Sequence, residues 1–180
     1  MAQNFTAEDR KKLTEAIGEL TLRWGMVESS WHTLFMFLYS FDRQWAGVYV
    51  PVVNALYDSH RSGAGKRSMI LEYARAILGD TPHMKRLGQL YAKTNDISGM
   101  RNAVQHTSFT YVGSKGVYSF EPSPMMQSKL TGKDVLASIE RMWPLFDELL
   151  KGLMQWQMDM RKIPTPQPIP SAQIPPAPTD

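Results

Sequence analysis

The strongest constraint on the fold is a run of apolar residues in the first quarter of the chain, which recur at spacings of three and four. The run comprises Leu13, Ile17, Leu20, Trp24, Val27, Trp31, Leu34, Phe35 and Leu38. This period is typical of a helix with one apolar face, and it predicts a helix from about Ala7 to Tyr39. Thr6, with Asp9 three residues later, predicts a capping box at its start. A long helix with one apolar face indicates a mainly helical domain.

Four further helices are predicted along the chain. The second is expected at residues 45–60, with Pro51 in its first turn, and the third at 66–78, ended by Gly79. The fourth is expected at 82–106, capped by Thr81 before Pro82. The fifth is expected at 131–162, with a capping box of Thr131 and Asp134 and a kink or break at Pro144. Residues 61–65 are expected to form a loop. The β-rich segments 107–112 and 117–120, separated by residues 113–116, predict a small hairpin.

The fold class is therefore predicted to be mainly α: a bundle of about five helices with a small β-hairpin and a disordered, proline-rich C-terminal tail. The length of 180 residues fits about one domain. We expect the helical domain at residues 1–162 and the tail at 163–180, where prolines exclude both helix and sheet. The tail is either a solvated end or a segment that docks in an aromatic groove.

Composition excludes several classes of site. The chain has no cysteine, which excludes disulfides, zinc–thiolate sites and thiol catalysis. The four histidines lack metal-ligand spacing, so no metal and no cofactor is expected. The net charge of +3 is compatible with a polyanionic partner without requiring one. The polar N-terminal residues and the short apolar stretches predict a cytoplasmic protein without membrane contact.

The segment Arg101-Asn102-Ala103-Val104-Gln105-His106, at the end of the fourth predicted helix, carries candidate chemistry. Metal-independent RNA cleavage needs a base that removes the proton of a ribose 2′-hydroxyl, and imidazole titrates near neutral pH. A guanidinium stays charged and offers several donors to phosphate oxygens. Asn102 is a candidate to orient the imidazole or a phosphate. The competing interpretation is a surface arginine and a histidine that interacts with the carbonyl groups of the helix end.

The spacing of this pair has a geometric consequence. At about 100° per residue, side chains five positions apart point about 140° away from each other. Either the helix frays at His106, or a second copy of the chain completes the site across a two-fold axis. The second alternative predicts a homodimer with the site at its interface.

With Arg101, Asn102 and His106 in this pattern, and with the opening helix that contains Trp24 and Trp31, the chain resembles the HEPN superfamily. The resemblance extends over about residues 7 to 160. It implies a helical-bundle endoribonuclease that works as a dimer without metal and leaves 2′,3′-cyclic phosphate and 5′-hydroxyl ends. It also implies a role in toxin–antitoxin systems, phage defence or RNA processing, with an antitoxin or another protein as a partner.

Three further residues are weaker candidates to contact the substrate. Glu28 lies on the opening helix, in the segment similar to that of the family. Lys66 and Arg67 follow Gly63 and Gly65, a pattern that is similar to the end of a phosphate-binding loop but lacks its first glycine and a preceding strand. These basic residues are candidates to contact RNA phosphates.

Two non-catalytic interpretations remain open. One is a catalytically silent helical dimer that binds a protein or nucleic acid, with the tail as a tether. The other is a structural component of an assembly.

Overall fold

The computed structural model describes residues 3–41, 50–105, 108–112, 117–121 and 135–163 of the chain. This part is mainly helical, as predicted. Its helices are α1 (Ala7–Phe41), α2 (Val50–Ser59), α3 (Gly63–Leu78), α4 (Pro82–Gln105), α5 (Val135–Glu140) and α6 (Trp143–Met160). Its strands are β1 (Gln3–Phe5), β2 (Ser108–Val112) and β3 (Val117–Glu121).

The long first helix is confirmed, and its apolar face forms the centre of the core. Every member of the predicted run except the half-buried Ile17 is buried. The capping box is also present, because the Thr6 backbone N–H donates to Asp9 Oδ2 at 3.1 Å and the Asp9 N–H donates to Thr6 Oγ1 at 3.2 Å. These two bonds satisfy donors that a helix start otherwise leaves free.

The predicted end of α3 and the predicted start of α4 agree with the structure, whereas the predicted start of α3 does not. Thr81 Oγ1 accepts from the Met84 N–H at 3.3 Å, which caps α4 as expected. Gly79 ends α3 with a φ of 57°, a conformation that glycine adopts without steric cost. The loop predicted at 61–65 is wrong in its second half. The Ser62 side chain accepts from the Gly65 N–H at 3.0 Å, so that α3 already begins at Gly63.

The break predicted at Pro144 is present. The chain forms two helices here, α5 and α6, with a turn at Arg141 and Met142 between them. Pro144 lies in the first turn of α6, where its missing N–H removes no hydrogen bond. The restart directs the apolar face of α6 toward the core, where Phe146, Leu149, Leu153 and Trp156 are buried.

Hydrogen bonds that join α1 to its neighbours give the directions of the helices. Arg23 and Ser30 of α1 bond to Asp147 and Gln157 of α6, in the same order along both helices, so α1 and α6 run parallel. Thr21 and Trp31 of α1 bond to Gln105 and Thr94 of α4, in the reverse order, so α4 runs antiparallel to α1. Helices α3 and α5 also contact α1. The last turn of α4 therefore lies beside the middle of α1.

The strands form one antiparallel sheet in the order β1-β3-β2. Strand β3 pairs with β2, with Thr110 opposite Ser119, and with β1, with Asn4 opposite Ser119. The pairing of β1, which directly precedes α1, was not predicted. A three-residue strand has no periodic signal, and its pairing depends on residues more than 100 positions away.

Several predictions concern residues outside the described part of the chain. They are His106, the start of the second predicted helix at 45–49, the turn at 113–116, the capping box of Thr131 and Asp134, and the tail from residue 164 onward. Among the described helices, none has the length and hydropathy of a membrane span.

Candidate functional site

Arg101 and Asn102, two of the three predicted catalytic residues, lie near the end of α4 and contact each other. Arg101 Nη1 donates to Asn102 Oδ1 at 3.0 Å. His106, the third, follows the end of this helix by one residue in the sequence and lies outside the described residues. In the described structure Asn102 accepts a hydrogen bond from the guanidinium of Arg101, and its role in orienting the imidazole or a phosphate stays a prediction.

The guanidinium of Arg101 is half-buried at the boundary between α4 and α1. Its central carbon lies 5.7 Å from the centroid of the Trp24 ring, a separation at which a cation is attracted to the face of an indole. Its Nε is buried and has no hydrogen-bond partner among the described residues. Burial lowers the pKa of the Arg101 guanidinium, and the nearby negative charge of Glu28 acts in the opposite direction. Arg101 nevertheless stays charged, because the ordinary pKa of a guanidinium is far above neutral pH.

Glu28 and Arg67, two of the weaker candidates, form an ion pair between α1 and α3. Arg67 Nη1 donates to Glu28 Oε1 at 2.6 Å, and Arg67 Nη2 donates to Asn95 Oδ1 of α4 at 3.4 Å. The Arg67 side chain is only 2% exposed, whereas that of Glu28 is 27% exposed. Arg67 thus links three helices from the interior. In this position its guanidinium is directed at Glu28 and Asn95, so that its contribution to a site is to hold Glu28 in place.

A single ring connects the two arginines. The guanidinium carbon of Arg67 lies 5.3 Å from the Trp24 centroid and that of Arg101 lies 5.7 Å from it. Glu28 stands one helical turn after Trp24 on α1. We name Trp24, Glu28, Arg67, Asn95 and Arg101 the α1–α4 polar cluster. It is continuous with the hydrophobic core on one side, since Trp24 packs edge-to-face against Phe146 with ring centroids 6.5 Å apart.

Arg101 differs from the other arginines that lie over tryptophan rings. Arg23, over Trp143, is bonded to Glu19 and Asp147 at 2.6 and 2.8 Å. Arg67 is paired with Glu28. Arg101 has no ion pair within the described ranges, although it is fixed by Trp24 and Asn102. A positioned guanidinium without a carboxylate partner keeps its donors for an external anion such as a phosphate.

Lys66, the remaining candidate, lies apart from this cluster, in a groove between α1, α2 and α3. Lys66 Nζ is 3.0 Å from Asp58 Oδ1 and 4.3 Å from the centroid of the Tyr57 ring. Burial, aided by the negative charge of Glu28, raises the pKa of the Tyr57 hydroxyl to about 12, so it is protonated at neutral pH. Glu28 contributes to the wall of this groove as well. It is therefore the residue that the groove and the α1–α4 polar cluster have in common.

No metal site is present in the described ranges, where no three histidine or acidic side chains cluster. No family model, curated protein or solved structure matches this chain. The chemistry of the site is therefore inferred from its own residues. Those residues offer a fixed cation, a carboxylate held by a buried arginine, and a histidine that follows in sequence.

Sequence reasoning missed the parts of the polar cluster that come from other helices. Trp24 was assigned only to the core, and Asn95 was not singled out. The interior position of Arg67 had a signal, because Arg67, Ile70 and Ala74 share one helical stripe and all three are buried. A cation on an apolar stripe predicts a buried partner, because an isolated charge is too costly to desolvate. The identity of that partner, 39 positions earlier in the chain, had no local signal.

Proposed function

We propose that the chain is a metal-independent endoribonuclease of the HEPN type, with an HEPN-like helical bundle and a site completed in a homodimer. The observation that carries the proposal is the state of Arg101. Its guanidinium is fixed by Trp24 and Asn102, has no carboxylate partner within the described ranges, and belongs to a residue five positions before His106. A charged donor held next to a helix end that is followed by an imidazole suits the stabilisation of a phosphate in RNA cleavage.

In the proposed reaction, the imidazole of His106 removes the proton of a ribose 2′-hydroxyl. The 2′-oxygen attacks the adjacent phosphorus in line, and the bond from phosphorus to the 5′-oxygen breaks. The 5′-oxygen leaves with a proton supplied by an acid, for which His106 of the second copy is the candidate. The products are a 2′,3′-cyclic phosphate and a 5′-hydroxyl. Arg101 binds the non-bridging oxygens, on which negative charge increases in the transition state.

The α1–α4 polar cluster supports this role by restricting Arg101. A donor contributes most to catalysis when it is already oriented in the free enzyme, because no reorganisation is then needed during the reaction. The Trp24 face and the Asn102 side chain provide such orientation, and the half-buried setting strengthens the attraction of Arg101 for a phosphate. Lysine could not reproduce this contact, because an ammonium lacks the planar fork of donors.

The test is cleavage of a mixed RNA substrate in EDTA by the full chain, with analysis of the product ends. We expect cuts that end in cyclic phosphate, which are lost in His106→Ala and reduced by about 10²-fold or more in Arg101→Lys. Arg75→Gln is the matched control, since Arg75 is an exposed arginine in the last turn of α3, away from the cluster. Each variant is checked for unchanged helicity by circular dichroism.

Cleavage that persists in His106→Ala would contradict the assignment of the base. Cleavage that is equally fast in Arg101→Lys and wild type would contradict the role of Arg101. Activity that requires added divalent metal and stops in EDTA would contradict the metal-independent mechanism.

A second candidate, a catalytically silent binding module, is favoured by exposed apolar residues on the bundle surface. Leu22 and Met26 on α1, and Met154 and Met158 on α6, are each more than half exposed. Within each pair the residues lie four positions apart and form a short apolar stripe, and contiguous apolar patches mark surfaces that bind other proteins. This candidate predicts no RNA cleavage by wild type, together with partner binding that His106→Ala leaves unchanged.

A further inference from the structure

The groove between α1, α2 and α3 is a built polar site that the proposed cleavage chemistry does not use. Its volume is about 640 Å³, within the range of about 300–1,000 Å³ that is usual for small-ligand sites. Glu28, Ser29 and His32 line it from α1, and residues of α2 and the start of α3 line the other walls. Polar side chains from three helices meet here, so a ligand that carries hydrogen-bonding groups can find partners in the groove.

The groove carries both signs of charge, and its cations differ in how firmly they are paired. Arg61 and Lys66 line it together with the carboxylates of Glu28 and Asp58. Glu28 Oε1 lies next to Gly63 in the first turn of α3, so the positive end of that helix already has a carboxylate beside it. Asp58, the partner of Lys66, is 70% exposed, so water weakens that pair. Arg61 is exposed and makes no ion pair within the described ranges, so it is the cation of the groove that is open to an anion such as a phosphate.

The groove also offers hydrogen-bonding edges next to an aromatic ring. The His32 imidazole lies 4.5 Å from the Tyr57 ring between centroids, and its Nε2 is 3.2 Å from Asn54 Oδ1. With the proton on Nε2, the imidazole donates to Asn54 and fixes the amide, whose N–H groups then remain available. Asn54, Ser29 and the half-buried His32 thus present donors and a ring face in the same groove as the cations. Amide groups and aromatic faces are what proteins use to hold an unstacked base.

We infer that this groove is the subsite for a nucleotide of the RNA strand next to the scissile phosphate, with Arg61 and Lys66 on its phosphate and Asn54 and His32 at its base. The inference rests on the proposed function, since it places the scissile phosphate at Arg101. The link between the two is Glu28. Its side chain lines the groove and is held by Arg67, and the guanidinium groups of Arg67 and Arg101 both lie within 6 Å of the Trp24 ring centroid. A strand that crosses from Arg101 past Glu28 therefore enters the groove with its next nucleotide.

The experiment measures binding separately from cleavage, on the full chain. The probe is a 2′-O-methyl RNA hexanucleotide, which cannot be cleaved because it lacks the attacking hydroxyl. Binding is followed by titration calorimetry and by the amide NMR signals of Gly63 and Gly65. We expect Arg61→Gln, which leaves no partner unpaired, to weaken binding by about tenfold. Arg75→Gln removes the same charge from the far end of α3 and should change affinity by less than about twofold.

A second arm tests the base end of the groove. Asn54→Ala should reduce the differences in affinity among the four nucleoside 5′-monophosphates, while leaving inorganic phosphate binding unchanged. Equal affinity of wild type for inorganic phosphate and for all four nucleotides would overturn the nucleotide assignment, because it would show a simple anion site.

The outcomes distinguish this inference from the proposed function. Equal weakening by Arg61→Gln and Arg75→Gln would show that binding follows net charge alone and would overturn the subsite. Cleavage of ordinary RNA without any change at Gly63 and Gly65 would overturn the subsite and leave the proposed function intact. Groove binding that depends on Arg61, without any cleavage in EDTA, would support the subsite and count against the endoribonuclease.

Discussion

Replacing Glu28 with glutamine removes the charge, but not the shape, of the side chain that faces the buried guanidinium of Arg67. Arg67 Nη1 lies 2.6 Å from Glu28 Oε1, and the Arg67 side chain is only 2% exposed. A buried charge that loses its partner typically destabilises a protein by about 3–5 kcal/mol. Because Glu28 itself is 27% exposed, water can partly solvate the position. We therefore expect Glu28→Gln to lower the free energy of unfolding by about 2–3 kcal/mol, somewhat below that range.

The second substitution of a double-mutant cycle, Arg67→Met, removes the buried charge itself. It loses the contact of the guanidinium with the Trp24 ring, but it leaves behind a carboxylate that solvent can reach. We expect it to be less destabilising than Glu28→Gln. The double variant should be more stable than the sum of the single effects predicts, by more than about 1 kcal/mol, because both single costs include the loss of one shared interaction.

The assay is urea-induced unfolding at pH 7, followed by circular dichroism, with thermal unfolding as a second measure. A loss of 2–3 kcal/mol corresponds to a decrease in Tm of about 5–10 °C for a chain of this length. Glu8→Gln is the matched control. It breaks the exposed pair with Lys12 Nζ, which lies 3.0 Å from Glu8 Oε1. The side chains of Lys12 and Glu8 are 56% and 77% exposed, so the loss of this pair should leave stability almost unchanged. If Glu28→Gln is as mild as Glu8→Gln, then Arg67 is hydrated and the buried pair does not hold these helices together.

Two further predictions concern the groove and the backbone. Tyr57→Phe should reduce the loss of stability above pH 10. The Tyr57 hydroxyl releases its proton near pH 10 in the unfolded chain and near pH 12 in the folded chain. Between these values the hydroxyl therefore lowers the free energy of unfolding by up to about 1.4 kcal/mol per pH unit. Urea unfolding at pH 9, 10 and 11 checks this, and parallel pH profiles of the two proteins would contradict it. Gly63→Ala should destabilise the protein by about 1–3 kcal/mol, because the added Cβ would lie 2.6 Å from Glu28 Oε1. Gly88→Ala, with nothing within 4 Å of the added atom, should instead stabilise α4 by up to about 1 kcal/mol. Equal effects of the two alanines on thermal unfolding would refute the close approach at Gly63.

The elements that the sequence predicted well are those whose signal is local and repeated. The apolar run of α1 continues over seven turns, so errors at one position do not change the prediction. The cap at Thr81 and the stop at Gly79 depend on residues within four positions of each other. The start of α3 was missed, although Ser62 is a good capping residue, because Gly63 and Gly65 lower helix propensity and favoured a loop.

The candidate site was predictable only in part, because its cluster is formed by residues far apart in the chain. The pattern at 101–106 identified Arg101 and Asn102 as candidates, and these two residues contact each other. Nothing near Arg101 in the sequence indicates that Trp24 supports its guanidinium, 77 positions earlier. Periodicity shows which face of a helix is buried, but it does not show which residue of another helix meets it. Such partners become visible only when the helices are packed.

The shared ring of Trp24 couples the stability of the bundle to the proposed chemistry. Arg67 and Arg101 both lie within 6 Å of its centroid, one paired with Glu28 and the other without a carboxylate among the described residues. If Glu28→Gln lets the Arg67 guanidinium move, the Trp24 face and with it Arg101 should lose part of their fixed geometry. The variant should therefore slow cleavage even at temperatures where it remains folded. A Glu28→Gln variant that is less stable but fully active would instead show that Trp24 and Asn102 alone are enough to position Arg101.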